Sequence, residues 1–148
     1  MDKIRVLFLC TGNSARSQMA EGLLRARAGD RFDVYSAGLD PKGVNPYAVR
    51  AMDKIGIDIR RQRSKSIKEY MGREFFPYVI TLCSDADERC PQAIWAWGSK
   101  KLHWPFDDPA QAIGTDDQIL AKFEQVRDQI AAQIELWLEE RATQEAQA

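Results

Sequence analysis

The 148-residue sequence holds a single histidine and three cysteines. Neither charge sign dominates: 21 Lys and Arg face 22 Asp and Glu, a net charge of −1. That balance excludes a globally basic surface of the kind that binds nucleic acid or anionic membranes. Long apolar runs are missing too. The first, residues 4–9, is too short for a signal sequence or a membrane span. A cytoplasmic, non-membrane protein is expected. With an odd cysteine count and no signal sequence, a disulfide framework is not expected, and the thiols are candidates for catalysis or metal binding. Metal is the weaker option: Cys83 and Cys90 are separated by six residues, wider than a zinc knuckle, and only His103 and Cys10 remain to complete a site. No metal site is expected.

Repeats, low-complexity tracts and long linkers are also absent. A composition of 45% apolar and 29% charged residues suits one globular domain, expected over residues 1–141 with a polar tail at 142–148. Residues 4–9 read as a buried strand. A helix is expected over 17–28, ended by Gly29, then a second strand over 32–36 ending at Ala37-Gly38. Asn45 is placed to cap a helix with Pro46 in its first turn and an apolar face of Val49, Met52 and Ile55. A short helix is expected near 66–71 and strands over 78–82 and 102–106. A last helix begins at the capping-box sequence Thr115-Asp116-Asp117-Gln118. Its apolar stripe of Ile119, Phe123, Val126, Ile130, Ile134 and Trp137 is core packing. Strands alternating with helices predict an α/β domain with a parallel sheet and helices on both faces. Ligands of such sheets bind beyond the carboxyl ends of the strands. Cys10, Cys83 and the pair Asp107 and Asp108 all fall at that edge, from separate stretches of sequence.

Between the first strand and first helix runs Cys10-Thr11-Gly12-Asn13-Ser14-Ala15-Arg16-Ser17. A strand-to-helix turn offers backbone N–H groups and the positive end of a helix to one point. Donors of that kind stabilise a thiolate, and the Arg16 guanidinium is a planar fork suited to a tetrahedral oxyanion. Gly12 is expected to let the backbone approach the anion. Asn13 tolerates a left-handed conformation, and Ser17 is placed to bond the Cys10 sulfur. The loop reads as a nucleophilic thiol facing a phosphate-shaped anion, with Thr11 to Ser17 as the binding residues.

A cysteine, five residues and Arg16-Ser17 on a first strand–helix turn resembles the low-molecular-weight tyrosine phosphatase fold. The fuller string, continuing through Gln18-Met19-Ala20-Glu21-Gly22, resembles the thioredoxin-coupled arsenate reductases within it. Tyr35-Ser36-Ala37-Gly38, Gly43-Val44-Asn45-Pro46, Thr81-Leu82-Cys83-Ser84-Asp85-Ala86-Asp87 with Cys90-Pro91, and His103-Trp104 with Phe106-Asp107-Asp108-Pro109 are similar to the same group. The resemblance implies a four-stranded parallel sheet of order 2-1-3-4. It implies that Cys10 attacks arsenate to form a covalent adduct, that Arg16 and the loop amides hold the oxyanion, and that Asp108 is the general acid, with Asp107 as the alternative. It implies further that Cys83 attacks Cys10, expelling arsenite and leaving a disulfide between them. Cys90 then attacks Cys83 and frees Cys10. Reduced thioredoxin resets the remaining bond, and no cofactor is bound. Glutaredoxin- and mycothiol-linked donors are alternatives, as are a phosphatase using only Cys10, Arg16 and Asp108, and a redox sensor without turnover. A monomer is expected.

One expectation is geometric. In a continuous helix, residues 83 and 90 would lie about 10 Å apart along the axis, whereas a disulfide needs Cα atoms within roughly 7 Å. The segment 83–98 must therefore rearrange on oxidation. Position 15 is alanine where some relatives carry a further cysteine. Lys65 stands where some carry an aspartate that helps bind potassium near Asn13, Glu21 and Ser36. Its ammonium would substitute for the ion beside Glu21, unless it is simply a solvated lysine of the basic run at 60–65. His103, Trp95 and Trp97 are read as packing residues.

Overall fold

The structure, a computed structural model, describes residues 2–84, 86 and 99–147. Val6, Leu7, Phe8 and Leu9 are all fully buried, as a strand covered on both faces requires. They form the centre of strand β1 (Ile4–Cys10). Strand β2 (Phe32–Gly38) pairs along one side of it and β3 (Tyr78–Thr81) along the other, with β4 (Lys100–His103) beyond β3. All pairings are parallel and the order is β2-β1-β3-β4, the order implied by the resemblance. Cys10 lies in register with Gly38, and Leu9 with Thr81, so Cys10 and Cys83 emerge at the same carboxyl edge.

Helices α1 (Arg16–Ala28), α2 (Pro46–Asp53) and α3 (Asp116–Gln147) pack on one another along one face. There Trp137 of α3 meets Phe32, Tyr78 and Trp104. Part of the other face is closed by Tyr35, Tyr70 and Phe76, whose rings meet edge to face beside a 3-10 turn, Ile67–Glu69. The caps follow their sequence signals. Asn45 Oδ1 accepts from the Tyr47 amide at 2.9 Å. Thr115 and Gln118 exchange bonds, the Thr115 amide donating to Gln118 Oε1 at 2.9 Å and the Gln118 amide to Thr115 Oγ1 at 3.2 Å.

Several local expectations shift. Strand β4 begins at Lys100 rather than 102, because two exposed edge lysines hide its start from any hydrophobicity pattern. It ends at His103, two residues before Pro105, which has no N–H for the ladder. Helix α2 stops at Asp53 and buries Ala48, Ala51 and Met52, leaving Ile55 beyond its end and 44% exposed. Helix α3 continues through the polar stretch expected as a tail, as far as Gln147. Its Glu, Ala and Gln residues are good helix formers, and Arg141 anchors the turn by lying 5.0 Å from the Tyr78 ring centroid and 5.4 Å from that of Phe32. His103 is exposed rather than packed, with Nδ1 2.8 Å from Thr81 Oγ1.

Candidate active site

The turn from β1 to α1 carries Thr11 to Ala15. Asn13 adopts φ 44°, the left-handed conformation its side chain tolerates. Ala15 is the N-cap of α1 and no side chain caps the helix, so no side-chain acceptor competes for its first N–H groups. Gly12 is not the glycine that closes the turn. Its φ is not positive, and a Cβ there would make ordinary contacts with the stem of Lys42 at 3.4 Å and with Ser14 Cβ at 3.7 Å. The glycine the turn needs is Gly38 on β2, where a Cβ would fall 2.7 Å from the Asn13 nitrogen and 2.8 Å from the Thr11 oxygen. The signal for it was the Ser36-Ala37-Gly38 strand end, but its purpose depends on the β1–β2 register.

Cys10 is buried with a free thiol, its Sγ 3.0 Å from Ser17 Oγ. Behind Ser17 runs a chain of hydrogen bonds. Asn13 Nδ2 donates to Ser17 Oγ at 2.8 Å and to Ser36 Oγ at 2.9 Å, while Ser36 donates to Glu21 Oε1 at 2.5 Å. Glu21 also pairs with Arg25 at 2.7 Å and with Lys65 at 3.7 Å. Lys65 is 7% exposed, so it is no solvated member of the basic run. Its ammonium donates to Ser36 Oγ at 3.3 Å and the Arg63 carbonyl at 2.9 Å. Burial pushes its pKa below the ordinary lysine value, and the nearby Glu21 charge partly opposes that. No buried side-chain nitrogen or oxygen among the described residues lacks a partner.

Arg16 enters from the other side. Its Nη1 donates to the Phe106 carbonyl at 3.0 Å, and its Nη2 lies 3.7 Å from Asp108 Oδ2. Asp108 caps the 3-10 turn Pro109–Gln111 by accepting from the Ala110 amide at 3.0 Å. Asp107 points elsewhere, pairing with Lys122 on α3 at 3.0 Å. Of the two aspartates, only Asp108 reaches the cavity.

Cys83 is the second free, buried thiol. Its Sγ lies 3.4 Å from the Thr11 hydroxyl and accepts from the Ala86 amide at 3.4 Å. Cys10, Arg16, Cys83 and Asp108 line one cavity of about 540 Å³, with the anion loop as its floor. Lys42, Asn45 and Gln111 also line it. Sequence reasoning assigned none of these three to the site, because their place beside the anion loop is set by tertiary packing. Cys90, Trp95, Trp97 and most of segment 83–98 lie outside the described residues. Among the described residues, no group of three or more His, Cys, Asp or Glu side chains is arranged to hold a metal ion.

The sequence profile of the low molecular weight phosphotyrosine protein phosphatases matches residues 5–148. The chain belongs to that family. Within it, the chain is 48% identical to an arsenate reductase of Halalkalibacterium halodurans over 139 residues, 94% of this chain and 98% of that one. An arsenate reductase of Bacillus licheniformis is 47% identical over the same shares of the two chains. Among solved family structures, an arsenate reductase in the phosphate-binding state superposes with a TM-score of 0.76 at 32% identity, covering 93% of this chain and 98% of that one. The family fold accounts for the sheet order and for the loop at the end of β1. No helix among the described residues is long and apolar enough to cross a membrane.

Proposed function

We propose that this protein reduces arsenate to arsenite in the cytoplasm, as a monomer, with reduced thioredoxin as electron donor. The observation that carries the reading is the second free thiol, Cys83, opening onto the same cavity as Cys10. A phosphatase releases its phospho-enzyme with water alone. An arsenate reductase must also deliver two electrons, and a second thiol beside the first is how a protein without a redox cofactor supplies them.

In the first step the Cys10 sulfur attacks arsenic and a sulfur–arsenic bond forms. An arsenate oxygen leaves as water, taking its proton from Asp108. Arg16 and the loop amides hold the remaining oxygens. In the second step Cys83, as thiolate, attacks Cys10 Sγ. The sulfur–arsenic bond breaks, its electron pair stays on arsenic, and arsenic falls from +5 to +3 and leaves as arsenite. Cys10 and Cys83 are then joined by a disulfide. Cys90 attacks Cys83, frees Cys10 as a thiolate, and leaves a disulfide between Cys83 and Cys90 for thioredoxin to reduce. No metal or prosthetic group takes part. The same cradle would hold a phosphate ester, so weak phosphatase activity accompanies the main reaction.

The test is arsenite production with thioredoxin, thioredoxin reductase and NADPH. Wild type turns over steadily, while Cys83→Ser stops after the arsenic adduct. Cys90→Ser accumulates a disulfide between Cys10 and Cys83, visible by mass spectrometry. Full turnover by Cys83→Ser overturns the relay. Phosphate-ester hydrolysis in place of arsenate reduction, unaffected by Cys83→Ser, returns the protein to the phosphatases.

A further inference from the structure

The segment 40–45, after β2, is tied to the anion loop along its length. The Asp40 amide donates to the Thr11 carbonyl at 2.8 Å, Lys42 to Gly12 at 2.9 Å and Asn45 to Ser14 at 3.0 Å. These three bonds fix where Lys42 leaves the backbone. Its methylenes lie across Gly12, with Cδ 3.4 Å and Cγ 3.6 Å from where a Cβ at that position would stand. Its ammonium is exposed, makes no ion pair or side-chain hydrogen bond among the described residues, and belongs to the cavity wall.

The charges lining the cavity give that lysine its meaning. Arg16 and Asp108 face each other at 3.7 Å and largely cancel at a distance. The other lining residues among those described are the two thiols and side chains that cannot ionise. Among the described lining residues, Lys42 is therefore the cation that faces no acidic partner. We propose that Lys42 is the substrate-capture residue of this enzyme, drawing a tetrahedral dianion from solution to the loop amides and Arg16. The proposal rests on the arsenate-reductase reading above and adds a charge filter to it. Arsenate reaches the site as an anion, whereas arsenite is uncharged at neutral pH. The same lysine that recruits the substrate has no hold on the product. It does not distinguish arsenate from phosphate, whose charge and shape are alike.

The test uses the full chain and two readouts. Inorganic phosphate binding, measured by calorimetry on the reduced protein, requires no electron transfer and so stands apart from the relay. Lys42→Met weakens phosphate binding and lowers kcat/KM for arsenate by about 10-fold, the low end of electrostatic focusing. The loss falls on KM, with kcat retained. Lys42→Arg restores both values and Lys42→Glu depresses them further. Added sodium chloride reduces kcat/KM more steeply in wild type than in Lys42→Met. Lys54→Met, the same charge change at the far end of α2, leaves both values as they were. Phosphate affinity and kcat/KM unchanged in Lys42→Met overturn the proposal. So does a fall in kcat at constant KM. A phosphate-affinity loss in Lys42→Met together with no arsenate turnover by wild type upholds capture and refutes the reductase reading instead.

Discussion

The Sγ of Cys10 and the Oγ of Ser17 lie 3.0 Å apart, within hydrogen-bond distance. Asn13 Nδ2 donates into Ser17 Oγ at 2.8 Å, which occupies an acceptor site there and leaves the hydroxyl hydrogen available to a thiolate at Cys10. Asn13 is held in turn, its Oδ1 accepting from the Lys65 amide at 2.9 Å. The donor that steadies a thiolate is thus oriented by a network reaching from α1 to β2 and the strand-like segment at 65. A hydrogen bond to a charged group contributes about 1.5–3 kcal/mol. Ser17→Ala is therefore expected to slow formation of the Cys10–arsenic adduct by about 10- to 100-fold, with phosphate affinity little changed. Single-turnover kinetics with arsenate measure the step directly.

Lys65 and Glu21 supply a second expectation. The buried ammonium sits beside the Glu21 carboxylate and the Ser36 hydroxyl, the ground that a potassium ion would occupy in the alternative arrangement. Steady-state activity is expected to be equal in potassium and sodium chloride at matched ionic strength. A steep rise with potassium alone would show that the ammonium does not fill the position. The protonation of Lys65 also has a sign. Burial lowers its pKa below 10.5, so just below pH 10.5 the unfolded chain holds more protons than the folded one. Stability from this site therefore rises with pH between the folded-state pKa and 10.5. Lys65→Met removes that slope, as urea midpoints across the window would record.

Tyr70 behaves in the opposite sense at higher pH. Packed edge to face against Tyr35 and Phe76, its hydroxyl is pushed up to about 12, chiefly by burial. Between pH 10 and 12 the unfolded chain loses this proton first, so the site's contribution to stability falls as pH rises. Tyr70→Phe is expected to flatten the decline in that range. An identical alkaline slope in the two proteins would rule out Tyr70 as its source.

How much of this was written in the sequence depends on what each residue answers to. Cys10, Arg16 and Ser17 sit on a turn whose geometry is local, and the 3.0 Å contact between Cys10 and Ser17 is legible in their spacing. The Asn45 cap and the Thr115 box are local as well. The edge strand β4 was misplaced because its first two residues are exposed lysines, invisible to a rule built on burial. The need for glycine at position 38 is not legible locally, since only the β1–β2 register brings Gly38 under the loop. Lys42 was overlooked for the same reason. Nothing in a lone loop lysine announces that three backbone bonds hold its segment against the anion loop.

Thr11 is expected to govern the second chemical step rather than the first. Its hydroxyl lies 3.4 Å from Cys83 Sγ, and the Ala86 amide donates to the same sulfur at 3.4 Å. Together they hold Cys83, two residues beyond β3, beside the loop that carries Cys10. A neutral hydrogen bond of this kind contributes about 1 kcal/mol, so Thr11→Val should slow formation of the disulfide between Cys10 and Cys83 by about 5-fold. Thr11→Ser, which keeps the hydroxyl, should retain the wild-type rate. Alkylation quenching and mass spectrometry during a single turnover separate the arsenic adduct from the disulfide. A Thr11→Val protein that accumulates the adduct, then converts it slowly, assigns the hydroxyl to positioning Cys83. One that forms the adduct slowly and converts it at the normal rate would place Thr11 in oxyanion binding alone.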